Sequence, residues 1–273
     1  MSKRRLDVLL VEGGYFPSRE RAKRSIMAGE VFVNGMREDK AGTLFHPDKI
    51  RQIEVKGDKM PFVSRGGLKL QKALQVFSIN VRECVCLDIG ASTGGFTDCM
   101  LQSGAKLVYA VDVGYGQLAY RLMRDERVIS LERTNFRHLS VEVIPEPVDF
   151  ASADVSFISL RKILPVVPQF LKPEAEMVCL VKPQFEAGRD KVGKKGVVRD
   201  AAVHREVITD VCHASVETGF TPVGVSFSPI TGPEGNIEYL LHLRFTQVQA
   251  QEWKIDDEEE IGRTVEEAHM HFM

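Results

Sequence analysis

Apolar positions in the first sixty residues switch between two periods. Leu6, Leu9 and Leu10 recur at helical spacing, and Gly13-Gly14 stands behind them as a stop. Ser18 is placed to cap a second helix over 19–28, which Gly29 closes. Val31-Phe-Val then runs into Asn34-Gly35, a dipeptide suited to a two-residue hairpin turn, and 49–55 reads as a further strand. The pattern predicts a small α+β unit over 1–60. Gly57-Asp-Lys-Met-Pro61 reads as a linker.

Beyond it the pattern is longer. Residues 64–74 open on Ser-Arg-Gly-Gly and turn helical, with Leu70 and Leu74 on one stripe. Lys69 falls off that stripe, the position of a solvated lysine. The centre of the region is Val85-Cys-Leu-Asp-Ile-Gly-Ala-Ser-Thr-Gly-Gly-Phe96: a buried strand, a glycine turn, and a helix over 96–102. A second strand over 106–112 ends in Asp112. Helices over 117–123, 160–171 (broken by prolines) and 201–218 alternate with strands over 128–131, 149–154 and 176–182, and strands over 222–228 and 237–245 follow. Strands alternating with helices predict a mainly parallel sheet covered on both faces, with a final antiparallel pair. Residues 186–200 are a polar, Gly/Lys-rich insertion, and 256–267 an acidic helix or loosely held tail.

Composition narrows the class. Of 273 residues, 44% are hydrophobic and 27% charged, an ordinary globular mix. The net charge of −2 hides an asymmetry: residues 1–60 carry 13 Lys/Arg against 9 Asp/Glu, and 250–273 carry 2 against 8. A basic N-terminal unit suits an anionic partner, although ordinary surface charge accounts for the count equally well. The five cysteines lack C-x-x-C spacing and fall mostly in apolar runs, as structural thiols do in a reducing compartment. His269-Met-His271 has no companions in the sequence, so no metal is expected. No apolar run approaches the roughly 20 residues of a membrane span, and the N-terminus lacks the apolar core of a secretory signal. The expectation is a cytoplasmic protein.

The glycine turn selects among ligands. Backbone N–H groups and a helix N-terminus behind a strand suit a nucleotide-like ligand, and an acid about 20 residues on suits ribose hydroxyls. A dinucleotide fingerprint needs G-x-G-x-x-G; Gly90-Ala-Ser-Thr-Gly94-Gly95 lacks its first glycine pair, although a bare nucleotide or NAD site stays open. Asp88-x-Gly-x-x-x-Gly-Gly resembles the first motif of class I S-adenosylmethionine-dependent methyltransferases. The residues after the fourth strand declare the acceptor. Amino-nitrogen enzymes carry prolines there and carbon-5 pyrimidine enzymes a cysteine, whereas Asp154-Val-Ser-Phe157 has neither, so a hydroxyl remains. Asp154, Lys182 and Glu238 fall at strand ends facing the ligand crevice. Each also has a plain reading, as helix cap, snorkelling lysine or surface acid.

Two resemblances complete the reading. Arg-Leu-Asp-x-x-Leu, Ser-Arg-x-x-Ala and Gly-x-Val-x-Val-Asn-Gly in 4–60 resemble the alpha-L (S4-like) RNA-binding domain. Lys69, Asp154, Lys182 and Glu238 in chain order resemble the tetrad of FtsJ-like ribose 2′-O-methyltransferases. With Val111-Asp-Val-Gly-Tyr-Gly-Gln and Gly232-Pro-Glu-Gly-Asn-Ile-Glu, the chain over 1–245 is similar to the TlyA/hemolysin A family of rRNA methyltransferases. The resemblance implies a Rossmann-like sheet of seven strands with the last antiparallel (61–250), a small N-terminal RNA-binding domain (1–60), and an acidic segment (251–273) that it does not cover. It implies S-adenosyl-L-methionine held by Asp88, Gly90, Ala91, Ser92, Thr93, Gly94, Gly95, Phe96, Asp112, Val113 and Asp154. It implies ribosomal RNA, in ribosomal subunits, met by Arg4, Arg5, Arg19, Arg21, Lys23, Arg24 and Arg65, and 2′-O-methylation of a cytidine. Lys182 would be the central proton acceptor or alkoxide stabiliser, oriented by Asp154 and Glu238, with Lys69 on the ribose or phosphate. Two other classes stay open. One is an RNA-binding or assembly factor without catalysis, against which the intact turn argues. The other is a membrane-active hemolysin, for which the chain offers no signal, span or cationic amphipathic helix.

Overall fold

The chain divides after Pro61 into two units, Met1–Pro61 and Phe62–Met273. Their structure, a computed structural model, describes residues 3–16, 18–56, 60–246 and 259–273.

In the first unit the short strand β1 (Arg4–Arg5) leads into α1 (Leu6–Glu12), and α2 (Arg19–Met27) follows with the Ser18 hydroxyl accepting from the Arg21 N–H. β2 (Val31–Val33) and β3 (Met36–Glu38) form the hairpin, with Asn34 and Gly35 both at positive φ as a type I′ turn requires. β4 (Leu44–Phe45) pairs with β1, and β5 (Ile53–Val55) with the other edge of β2. Pro47–Lys49 forms a 3-10 turn, so the strand expected from 49 begins only at Ile53. Leu6, Leu10, Ala22, Ile26, Val31 and Val33 make the core. Asp7 is buried beneath Arg5 and Arg19, each 2.9 Å away. Burial alone would raise this carboxyl, but hydrogen bonds and charge from the two arginines outweigh it and hold it below the usual range. Of the expected linker, residues 57–59 lie outside the described residues.

The second unit is built on seven strands: β6 (Val85–Ile89), β7 (Leu107–Val111), β8 (Val128–Leu131), β9 (Val148–Ala153), β10 (Leu171–Val181), β11 (Phe220–Phe227) and β12 (Tyr239–Phe245). Their order is β11-β12-β10-β9-β6-β7-β8. β12 slots between β10 and β11 and runs antiparallel to both; the pairings among β10, β9, β6, β7 and β8 are parallel. Side chains alternate across the sheet. Leu87, Ile89, Ala151, Met177 and Cys179 enter one core, while Cys86, Val108, Phe150, Val178 and Leu180 enter the other. Both faces are therefore buried, and the strands read as near-continuous apolar runs.

α3 (Gly66–Val76) and α4 (Gly95–Gln102) cover the Cys86 face; α7 (Ala201–Glu217) covers the Leu87 face. α5 (Tyr120–Met123) is one turn, shorter than the helix expected over 117–123. The helix expected over 160–171 is instead two 3-10 segments, Leu160–Lys162 and Leu164–Phe170. Pro165 and Pro168 withhold N–H groups that an α-helix needs there. α6 (Pro183–Glu186) follows β10 directly. α8 (Glu259–Phe272) buries Ile261, Val265 and Ala268 in the same core as α7. The acidic C-terminal stretch is thus, from 259 on, a packed helix of this unit rather than a separate segment; 251–258 lie outside the described residues.

Candidate active site

The carboxyl ends of β6, β7, β9 and β10 open onto a crevice of two adjoining chambers of about 510 and 390 Å³, which share Gly90, Ser92, Asp154 and Ser156 as walls.

The turn between β6 and α4 shapes their junction. Gly90 sits at φ +86°, and a Cβ there would come within 2.5 Å of the Asp154 carbonyl oxygen. Two chain segments touch at this point because Gly90 has no side chain. Asp88 supports the turn from beneath. It is fully buried, and Oδ2 accepts from the Thr97 N–H (2.9 Å) and hydroxyl (2.6 Å) while Oδ1 accepts from Ser152. Burial, which outweighs these hydrogen bonds, pushes its carboxyl up to about 7. Asp88 lines neither chamber; it holds the first turn of α4, because a carboxylate inside the sheet takes its donors from the chain. Gly94 likewise turns inward, packed on Leu118 and Leu122.

The smaller chamber is lined by Asp112, Val113, Gln117, Asn135, Phe136 and Ile158, among others. Asp112 Oδ2 accepts from the Ser92 N–H and Oδ1 from the Gly114 N–H, both at 2.7 Å. Those bonds aim the carboxylate while leaving lone pairs for a ligand's hydroxyls.

The larger chamber holds all four candidate catalytic side chains together with Ala91, Thr93, Gly95 and Phe96, and Arg65 is exposed at its wall. The four are arranged as two ion pairs. Lys182 Nζ lies 2.6 Å from Asp154 Oδ1 and donates to Ser156 Oγ at 3.0 Å. Lys69 Nζ lies 2.5 Å from Glu238 Oε2. Lys69, Lys182 and Glu238 are all buried. Lys69 is therefore not a solvated lysine: Gly66 and Gly67 let α3 lie close against Gly95 and Phe62, so a second face of the helix turns inward. Nor does Glu238 orient Lys182; its partner is Lys69. The remaining Glu238 oxygen, Oε1, is buried without a hydrogen-bond partner among the described residues. Gly232 makes room for it, since a Cβ there would sit 2.2 Å from Oε1.

The crevice thus lies at the strand ends of a mainly parallel seven-stranded sheet, with paired lysines and carboxylates in its larger chamber. The FtsJ-like methyltransferase model matches residues 62–245. The chain belongs to the FtsJ-like methyltransferase family. The S4 domain model matches residues 4–49, and full-length relatives place this methyltransferase in the TlyA/hemolysin A group. It is 55% identical to YqxC of Bacillus subtilis over 98% of this chain and 94% of that one. It is 45% identical to the Mycobacterium tuberculosis 16S/23S rRNA (cytidine-2′-O)-methyltransferase TlyA over 88% and 89%. The solved structure of a putative hemolysin from Streptococcus thermophilus matches with TM-score 0.77 and 48% identity, covering 100% of this chain and 98% of that one.

In this methyltransferase the basic residues of the first unit have different duties. Arg5 and Arg19 hold Asp7, Arg4 pairs with Glu12 and Lys23 with Glu20, whereas Arg21 and Arg24 are exposed. Among the described residues, no group of three or more His, Cys, Asp and Glu is gathered as for a metal, and no helix is long and apolar enough to cross a membrane. His269 turns instead to His204. Ser156 is the site residue that the sequence pattern does not single out, although it stands two residues after Asp154; its signal is a hydroxyl beside a strand-end acid.

Proposed function

We propose that the chain transfers the methyl group of S-adenosyl-L-methionine to the 2′-hydroxyl of a cytidine in ribosomal RNA, and so works in the cytoplasm where ribosomes are. The observation that carries this reading is the convergence of the Lys182–Asp154 and Lys69–Glu238 pairs on one chamber beside the glycine turn. The donor set fits the cofactor. Asp112 offers acceptors for ribose hydroxyls, Val113 and Phe136 offer apolar surface for an adenine, and the side-chain-free Gly90 lets the backbone come close. When bound, the cofactor supplies an electrophilic methyl group on a sulfonium.

The chain's own residues then have two tasks. Lys182, fixed by Asp154 and Ser156, is within reach of an oxygen entering the chamber and stabilises the negative charge that develops as the hydroxyl proton passes to a carboxylate of the chamber. Lys69, fixed by Glu238, binds and orients the ribose or its phosphate, and the unpaired Glu238 Oε1 awaits a hydroxyl donor. The first unit, with Arg21 and Arg24 exposed, supplies contacts to the RNA backbone that position rather than specify. The name of the M. tuberculosis relative supports cytidine and rRNA as the target.

The test uses labelled cofactor with ribosomal subunits from cells lacking this protein. Wild type is expected to place label in an alkali-resistant 2′-O-methyl nucleotide. Lys182→Ala is expected to place none while binding cofactor normally by calorimetry. Full activity in Lys182→Ala overturns the mechanism, and no transfer by cofactor-bound wild type to either subunit overturns the reaction.

A further inference from the structure

Lys182 and its two acceptors belong to a closed ring of chain, and the residue that closes it is Glu186. Lys182 is the N-cap of α6, and Glu186 ends that helix one turn on. Glu186 Oε2 accepts from the Ser159 hydroxyl at 2.6 Å, and Oε1 from the Leu160 N–H at 2.7 Å. From Ser159 the chain leads back to Ser156 and Asp154, which return to Lys182 Nζ. The chemistry just described uses Lys182, Asp154 and Ser156, but not the residue that joins their two segments.

The stretch from Asp154 to Ser159 forms neither helix nor strand, so something else must hold it. At its start the Asp154 N–H donates to the Ile89 carbonyl of β6 at 3.0 Å, and the sheet holds Asp154 whatever follows. Ser156 stands two residues further on, next to Phe157 at φ +62°, a conformation that favours glycine. A residue strained in this way keeps its conformation only while its surroundings impose it. The far end is where Glu186 takes hold. Arg161 adds to the tie by donating to the Glu186 carbonyl oxygen at 3.3 Å.

The tie is expensive in itself. Glu186 is buried, and burial raises its carboxyl more than the two hydrogen bonds lower it. An apolar side chain would pack the two segments together at less cost. What the carboxylate adds is geometry. Its two oxygens take donors from two successive residues, which fixes how the backbone of the segment turns.

We propose that Glu186 is a positioning residue for methyl transfer: through Ser159 and Leu160 it sets the segment so that Ser156 Oγ meets Lys182 Nζ at 3.0 Å. The proposal rests on the ribose-methylation reading above. Glu186 lines neither chamber and acts only through its neighbours. Because Asp154 is held from β6, loss of Glu186 deprives the lysine of Ser156 and leaves it Asp154. The effect therefore has a ceiling, which is the effect of removing the Ser156 hydroxyl itself.

The experiment is a double-mutant cycle in full-length protein, read by methyl transfer to ribosomal subunits from cells lacking it. Glu186→Ala is expected to lower the single-turnover rate about tenfold, the worth of one hydrogen bond to a charged group, with cofactor affinity and the KM for subunits unchanged. Added to Ser156→Ala, it should lower the rate by about twofold or less. Glu186→Gln should restore most of the rate, since its amide oxygen takes the Leu160 N–H while its nitrogen donates to the Ser159 oxygen. Ser159→Ala, which leaves the Leu160 bond, should fall between wild type and Glu186→Ala, and it replaces Glu186→Ala in the cycle if melting shows that variant unfolded. A further tenfold loss in the double variant, or a wild-type rate in folded Glu186→Ala, overturns the proposal. Absence of transfer by wild type to either subunit defeats the parent reading, and this one with it.

Discussion

Lys69 and Glu238 stand 169 residues apart in the chain and meet at 2.5 Å inside the crevice wall, both nearly closed to water. The contact joins α3 to the residue just before β12, the antiparallel strand slotted between β10 and β11. A buried pair of this kind is worth little net, yet losing one partner is expensive, because the other charge stays buried alone. Glu238→Ala should therefore cost about 3–5 kcal/mol of unfolding free energy, as well as activity. Replacing both residues together, as Lys69→Met with Glu238→Leu, should recover much of the stability and none of the activity. Urea unfolding of the two variants checks this; equal losses in both would show that the pair is not what the wall depends on.

Lys182 has two acceptors, and the structure ranks them. Asp154 brings charge at 2.6 Å, and Ser156 a neutral oxygen at 3.0 Å. Ser156→Ala should lower the single-turnover rate about tenfold, the worth of one hydrogen bond to a charged group. Asp154→Ala should lower it further, since Lys182 loses its counter-charge. Cofactor affinity should be unchanged in Ser156→Ala. A loss there confined to KM would assign Ser156 to binding instead.

Gly90 and Gly116 both have positive φ, but only Gly90 lacks room for a side chain. Gly116→Ala should cost about 1 kcal/mol of stability through the backbone alone and leave activity intact. Gly90→Ala adds a collision with the Asp154 carbonyl, which carries the Lys182 partner with it, so cofactor affinity and turnover should both fall more than tenfold. Calorimetry with single-turnover kinetics separates the two variants.

How much of the fold and site is legible in the sequence depends on distance along the chain. The turn after Asp88 and the hairpin at Asn34-Gly35 are local events, set by residues that need particular backbone angles, and both form where the sequence places them. The alternating strands specify the sheet. Lys69 stands out in the sequence only as a member of a resembling pattern and Glu238 also as a strand-end acid, and neither signal pairs the two with each other. Their true partnership depends on where β12 inserts and on how closely Gly66 and Gly67 let α3 approach α4. Apolar periodicity over 160–171 looks helical, but Pro165 and Pro168 allow only 3-10 turns. Glu186 carries no signal, since Ser159 and Leu160 reach it only once the segments after β9 and β10 lie side by side.

His204 fastens α8 to the sheet in a way that acid should undo. Its Nε2 faces the Val198 carbonyl at 3.0 Å, and because a carbonyl only accepts, that nitrogen carries the proton. Nδ1 is then the acceptor toward the Tyr239 hydroxyl at 2.8 Å and His269 Nε2 at 3.0 Å. Burial depresses His204 to about 4 and also lowers His269, where Arg205 adds to the effect. As pH falls below the ordinary histidine value near 6.5, the unfolded chain takes up the proton first. The stability His204 contributes is thus fully present above about 6.5 and is lost toward 4. The loss is at most about 1.4 kcal/mol per pH unit for each proton. Between pH 7 and 5, wild type should lose more unfolding free energy than His204→Gln, whose amide can serve both neighbours without titrating. Amide exchange in Glu259–Phe272 should quicken over the same range in wild type, as α8 loosens from His204, the partner of Tyr239. Parallel pH profiles for the two proteins would place the acid sensitivity elsewhere.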